Sequence, residues 1–265
     1  MLNKAQTLPF RLLASALTIG AVAFGYQQNA QALTFNFNFT EDTPTIYVNR
    51  INQIGDVWGN YIHDDVTVNI KVEVGELPTG YLGGARPGMV KVNYADVVQQ
   101  LELDQLSDLD QSAAANMPTH QSSTGELSIA RTINGTSDAS GLAHVDTNTK
   151  NLWITRANAK ALGIVSGNDT TVDAVIRLND QVSWDFDPRN GIMANRYDFA
   201  GTVYHELAHT LGFLSGVDVL DYNAKQNILL SDDSYDYVTS MDLFRYSDAV
   251  KDSGTIDWTV DTDTE

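Results

Sequence analysis

The chain has 265 residues, with 16 Lys and Arg against 34 Asp and Glu, five His and no Cys. That length holds one large domain or two small ones around a substantial core, and the acidic balance excludes nucleic acid and anionic membrane as partners held by bulk electrostatics. Without cysteine no disulfide staples the fold, so stability rests on the core and on any bound metal.

Lys4 and Arg11 flank an apolar run, LLASALTIGAVAFG (12–25), too short to anchor stably across a bilayer. Ala30-Gln31-Ala32 then has the small-residue pattern of a signal peptidase site. Residues 1–32 therefore read as a signal peptide, with a mature domain over 33–265 that is secreted or periplasmic. Removing Lys4 and Arg11 leaves 14 basic against 34 acidic residues, a balance of −20. No later segment is long and apolar enough to cross a membrane, so no stable insertion is expected after cleavage.

LTFNFNFT (33–40) alternates as a half-buried strand does, and residues 46–62 place Val48, Ile51, Ile54, Val57, Trp58 and Tyr61 at helical spacing. VTVNIKVEV (66–74) alternates cleanly as a strand. LGGARPG (82–88) reads as a loop, residues 94–117 as interrupted helix, and 118–150 as a long polar segment with one short strand. Residues 152–164 read as a strand and a helix ending at Gly163, 172–179 as a strand and 183–191 as a turn. Asp198 then caps a helix over FAGTVYHELAHTLGF. No repeat and no second core is evident. The pattern is α+β, with a mixed twisted sheet upstream and a late helix rich in chemistry.

That helix contains HELAH. Residues four apart are separated by about 40° around a helix and about 6 Å along it, so His205 and His209 point the same way and can chelate one metal ion. Glu206 lies beside them, placed to hold a water without binding the metal, as a general base does in zinc peptidases. The surrounding Tyr204, Leu207, Leu211 and Phe213 are apolar, as a buried catalytic helix requires.

HELAHTLGF resembles the zinc helix of the metzincins, whose longer motif is H-E-x-x-H-x-x-G-x-x-H or D. Gly212 matches the glycine at which that helix turns, and Phe213 after it resembles the astacins. Downstream, SYDYVTSMDLF (234–244) places Tyr237 four residues before Met241, as in the astacin Met-turn. The resemblance implies a zinc endopeptidase of metzincin-like α+β fold acting on peptide or protein substrates. It further implies Met241 as an apolar floor beneath the metal and strand 172–179 as the sheet edge that pairs with substrate.

The metzincin third ligand falls at Ser215, a poor zinc donor beside imidazole or carboxylate. Asp218 is the leading replacement, reached by a loop through Ser215 and Gly216; Asp242 is next and Asp221 weaker. The position two after the methionine is Leu243, so no tyrosine approaches the metal from there. Asp185, Asp187 and Asn190 suggest a calcium loop, but the sixth and twelfth EF-hand positions are Asn190 and Arg196, so calcium has no support. His63, His120 and His144 read as non-ligands. Only 24 residues follow Met241, and 248–265 reads as a weakly ordered acidic tail, leaving open whether the C-terminus is complete. The expected activity is a secreted zinc metalloendopeptidase using Glu206 as base. The alternative is a non-catalytic secreted zinc-binding or surface protein on a degenerate peptidase scaffold.

Overall fold

A computed structural model describes residues 32–260. The segment expected to be a signal peptide lies outside the described residues but for Ala32. The architecture is α+β, with six α-helices among the described residues.

Four strands form the first sheet: β1 (Thr34–Phe39), β2 (Thr67–Gly75), β3 (Gly83–Pro87) and a later strand, Ala174–Asn179. Helix α1 (Thr45–Gly59) connects β1 to β2. Past β3 the chain runs through β4 (Met89–Asn93), α2 (Tyr94–Leu103), α3 (Asp108–Ala115), β5 (Thr119–Gln121), β6 (Leu127–Ile133), β7 (His144–Thr149), β8 (Asn151–Thr155) and α4 (Arg156–Ala161). It returns as β9, the strand Ala174–Asn179. Two short strands follow, β10 (Trp184–Asp185) and β11 (Tyr197–Asp198), then α5 (Phe199–Leu211), α6 (Val217–Lys225) and β12 (Ile256–Trp258).

The first sheet has the order β1-β2-β9-β3, parallel except for β3. Period-two alternation decides its two faces. Val68, Ile70, Val72, Ala174, Ile176 and Leu178 are buried, whereas Lys71 and Arg177 face the other way and are exposed. Helices α1 and α5 cover the apolar face, with the Tyr47 and Phe199 rings edge to face at 5.1 Å.

A second cluster forms around β6, which pairs antiparallel with β5 and β7 and parallel with β12. Ile129, Ile133, Leu152, Ile154, Val217, Leu220, Leu243, Ile256 and Trp258 are buried there. Arg131 is buried among them. Its Nε and Nη2 donate to Asp146 at 3.0 and 2.7 Å, and its guanidinium lies 4.7 Å from the Trp258 ring centroid. The other buried cation, Lys160, donates to Asp173 at 2.6 Å and to the carbonyls of Thr67 and Asp169, tying α4 to the first sheet. Such pairs add little net stability, but losing one partner costs about 3–5 kcal/mol.

Several expectations need correction. Residues 82–88 are not a loop but supply edge strand β3, because β9 offers a full row of partners that overrides weak glycine propensity. Strand 172–179 is therefore interior, paired on both sides by β2 and β3, and has no edge to offer a substrate. The polar stretch 118–150 carries three strands rather than one. A second core does exist. The tail read as weakly ordered from 248 is packed up to Val260, with Val250, Ile256, Trp258 and Val260 buried.

Candidate metal centre

Helix α5 begins at Asp198, whose carboxylate accepts the Gly201 N–H at 3.0 Å, a cap that stabilises by about 1 kcal/mol. Phe199, Val203, Glu206, Leu207 and Thr210 form its buried stripe. His205 and His209 sit off that stripe, one exposed and one half-buried, where solvent reaches them. The helix ends at Gly212, whose φ of 116° is left-handed and open to glycine at little cost. Phe213 N–H closes the turn by donating to the Ala208 carbonyl at 2.9 Å.

This turn serves the histidines. The Phe213 carbonyl lies 2.7 Å from His209 Nδ1. A carbonyl only accepts, so Nδ1 carries the proton and Nε2 is left as a lone pair, the form that binds metal. His209 Nε2 and His205 Nε2 face each other at 2.9 Å, with the rings at 87°. Two nitrogens sharing one tetrahedral zinc stand about 3.3 Å apart, given bonds of about 2.05 Å. A small rotation of either ring covers the difference, so the pair fits zinc.

Glu206 is 6% exposed although it is a carboxylate beside an open site. Burial pushes its pKa above the ordinary value, opposed by His205, His209 and the backbone N–H of Ala85 on β3. The edge strand therefore runs directly beside the carboxylate.

Beyond Gly212 the chain turns away. Gly216 approaches so closely that a Cβ there would lie 1.7 Å from the Tyr237 carbonyl oxygen. Asp242, fully buried, accepts from the Ser215 hydroxyl at 2.6 Å, Gly216 N–H at 2.9 Å and Thr239 N–H at 2.8 Å, while the Thr239 hydroxyl donates to the Leu214 carbonyl at 2.6 Å. Its two oxygens are thus committed to closing this loop. Asp218 lies not in a loop but in the first turn of α6, on the surface, where an acidic side chain favours the helix dipole. Partial burial raises its pKa, with Asp221 and Asp242 adding to the rise and Arg245 and His209 opposing it. His209 thus contributes to the field at Asp218. No group of three His, Asp or Glu side chains converges on one point among the described residues.

Met241 opens a short 3₁₀ turn and is 37% exposed, while Leu243 in the same turn is buried in the second core. Asp185 accepts N–H groups from Asp187 and Met193, and Asp187 is forked by Arg189 and held down to a pKa of about 2, so both close their own turn. His144 Nε2 meets Asp232 at 2.9 Å, far along the chain from the histidine pair.

Sequence patterns missed Asn158. Its amide donates to the Leu211 carbonyl at 2.9 Å and its oxygen accepts the Ser240 hydroxyl at 2.8 Å, joining the histidine helix to the Met241 turn. A lone Asn in a helix carries no signal for such a role.

The chain matches no family model, no curated relative and no solved structure.

Proposed function

We propose that this chain is an exported zinc-dependent endopeptidase with a metzincin-like catalytic domain. The observation that carries the reading is the convergence of His205 and His209 through their Nε2 atoms, with the His209 tautomer fixed by the Phe213 carbonyl. His205 and His209 would hold the zinc, which would supply a Lewis acid for water and for a peptide carbonyl. Glu206, raised in pKa by burial, takes the water proton on its carboxylate and delivers it to the leaving amine. Substrate backbone pairs with β3, the last strand of its sheet, because Ala85 brings that strand to Glu206. Asp218, in the first turn of α6, is the candidate third ligand, and it would have to be drawn towards the pair on metal binding, since it does not converge with them in this structure.

One observation favours the second reading, a zinc-binding protein without turnover: among the described residues only two ligand side chains converge. Zinc content and cleavage of unfolded protein by wild type, Glu206→Gln and Asp218→Ala separate the two. Lost cleavage with retained zinc in Glu206→Gln supports the enzyme; no cleavage by zinc-loaded wild type supports the second reading. Unchanged zinc affinity in Asp218→Ala removes Asp218 as ligand.

A further inference from the structure

The first sheet leaves one face uncovered. On β2 and β9 this face carries Lys71, Glu73, Val175 and Arg177; on β3 it carries Gly84 and Arg86. A cavity of about 350 Å³ lies here against β3, walled by Leu77, Pro78, Tyr81 and Val175 and rimmed by Arg86 and Arg177. Three cations stand around one carboxylate. Lys71 lies 2.7 Å and Arg177 3.3 Å from Glu73, and Arg86 forms no ion pair among the described residues. This is a local cationic surplus on a chain with twice as many acidic as basic residues. Gly84 keeps the cavity open, since a Cβ there would meet nothing within 4 Å.

We infer that this cavity takes the carboxylate side chain of an extended peptide lying along β3, and so selects substrates with an acidic residue near the scissile bond. The statement that such a peptide is cleaved rests on the peptidase reading; the binding does not. Strand geometry commits the site to a peptide. The Leu82 carbonyl accepts from Asn179 N–H and Gly88 N–H donates to the Asp173 carbonyl, so by antiparallel alternation the backbone groups of Gly84 and Arg86 also face β9. Gly83 and Ala85 then turn their backbone groups outward, Ala85 towards Glu206. A peptide on that edge sends alternate side chains to the uncovered face, beside Arg86. There the apolar walls receive its methylenes, and guanidinium forks receive a carboxylate. Edge charges also serve simply to repel stray strands, and that role predicts no preference between acidic and neutral peptides.

The test uses zinc-loaded Glu206→Gln protein and fluorescein-labelled flexible peptides that differ at one scanned position, Glu, Gln or Lys, read by anisotropy. The Glu peptide should bind about tenfold tighter than Gln at one or two positions, and Lys weakest. Arg86→Glu in that background should invert the order, and Gly84→Leu, which fills the cavity without a clash, should weaken the Glu peptide towards the Gln value. Equal affinity for the three peptides at every position, or an order unchanged by Arg86→Glu in folded protein, overturns the proposal. Charge-selective binding without cleavage by wild type keeps this site and overturns the peptidase reading. Cleavage by wild type without charge selectivity does the reverse.

Discussion

The side-chain amide of Asn158 donates to the carbonyl of Leu211 at 2.9 Å, so α4 holds the last turn of the histidine helix by a single side chain. A Cβ on the adjacent Gly212 would lie 2.3 Å from Asn158 Oδ1. The geometry of His209 therefore depends on two residues that do not touch a metal.

Gly212→Ala should lose about 1–3 kcal/mol through its left-handed backbone alone, with more from the clash. Asn158→Ala should lose about 1–3 kcal/mol by stranding the Leu211 carbonyl. In the double variant the clash is gone, so denaturant titrations should give a combined loss smaller than the sum. Strict additivity would mean that the two residues do not meet.

Asp242→Ala should be among the most destabilising single changes, by about 3 kcal/mol or more, since three donors, the Ser215 hydroxyl and the Gly216 and Thr239 N–H groups, lose their acceptor. Asp242→Asn retains part of this and should fold. Its zinc stoichiometry decides whether Asp242 is only a clamp: retained zinc agrees with the inward geometry, and lost zinc in folded protein makes it a ligand.

Glu206→Gln should stabilise the metal-free protein at neutral pH. Burial raises the folded pKa of Glu206 above its ordinary 4.5, so the wild-type carboxyl favours the folded state only while protonated. That contribution is present below about pH 4.5 and is lost as pH rises through the folded value. Thermal melts in chelator should therefore show the gain at pH 7 and its disappearance below about pH 4. A gain independent of pH would point to another cause.

Tyr94 is buried, donates to the Pro118 carbonyl at 3.3 Å, and has its pKa pushed above the usual phenol value chiefly by burial. Its stabilising effect is complete below about pH 10 and is lost as pH rises further. Tyr94→Phe should cost about 0.5–1.5 kcal/mol at pH 7 and flatten the alkaline decline in the melting temperature. An unchanged alkaline decline would assign it to other tyrosines.

Local features were legible from the sequence. His205, Glu206 and His209 follow from spacing on one helix, as do the Asp198 cap and the Gly212 stop. Strand β6 was not, because Ser128, Arg131 and Thr132 make it look polar. Its burial becomes possible only through Asp146, Thr255 and the Tyr235 carbonyl, partners up to 123 residues away. The edge strand was hidden for the same kind of reason, since glycine and proline say nothing about the strand waiting to pair with them. At the site itself, sequence spacing put Asp218 in a flexible loop, whereas packing of Val217 and Leu220 into the second core draws it into α6.

The pairing of β12 with β6 sets Ile256 beside Arg131, closing a loop of more than a hundred residues with one of the last described segments. Such distant closure is slow, and during synthesis it waits until Ile256–Trp258 has emerged. Trp258, which covers the Arg131 guanidinium, arrives with it. Until then the second core lacks its lid and the Asp242 loop lacks its backing. The sheet and α5 lie upstream of β12, so the histidine pair is in place before the second core is closed. The order of assembly is therefore set by how late β12 leaves the ribosome.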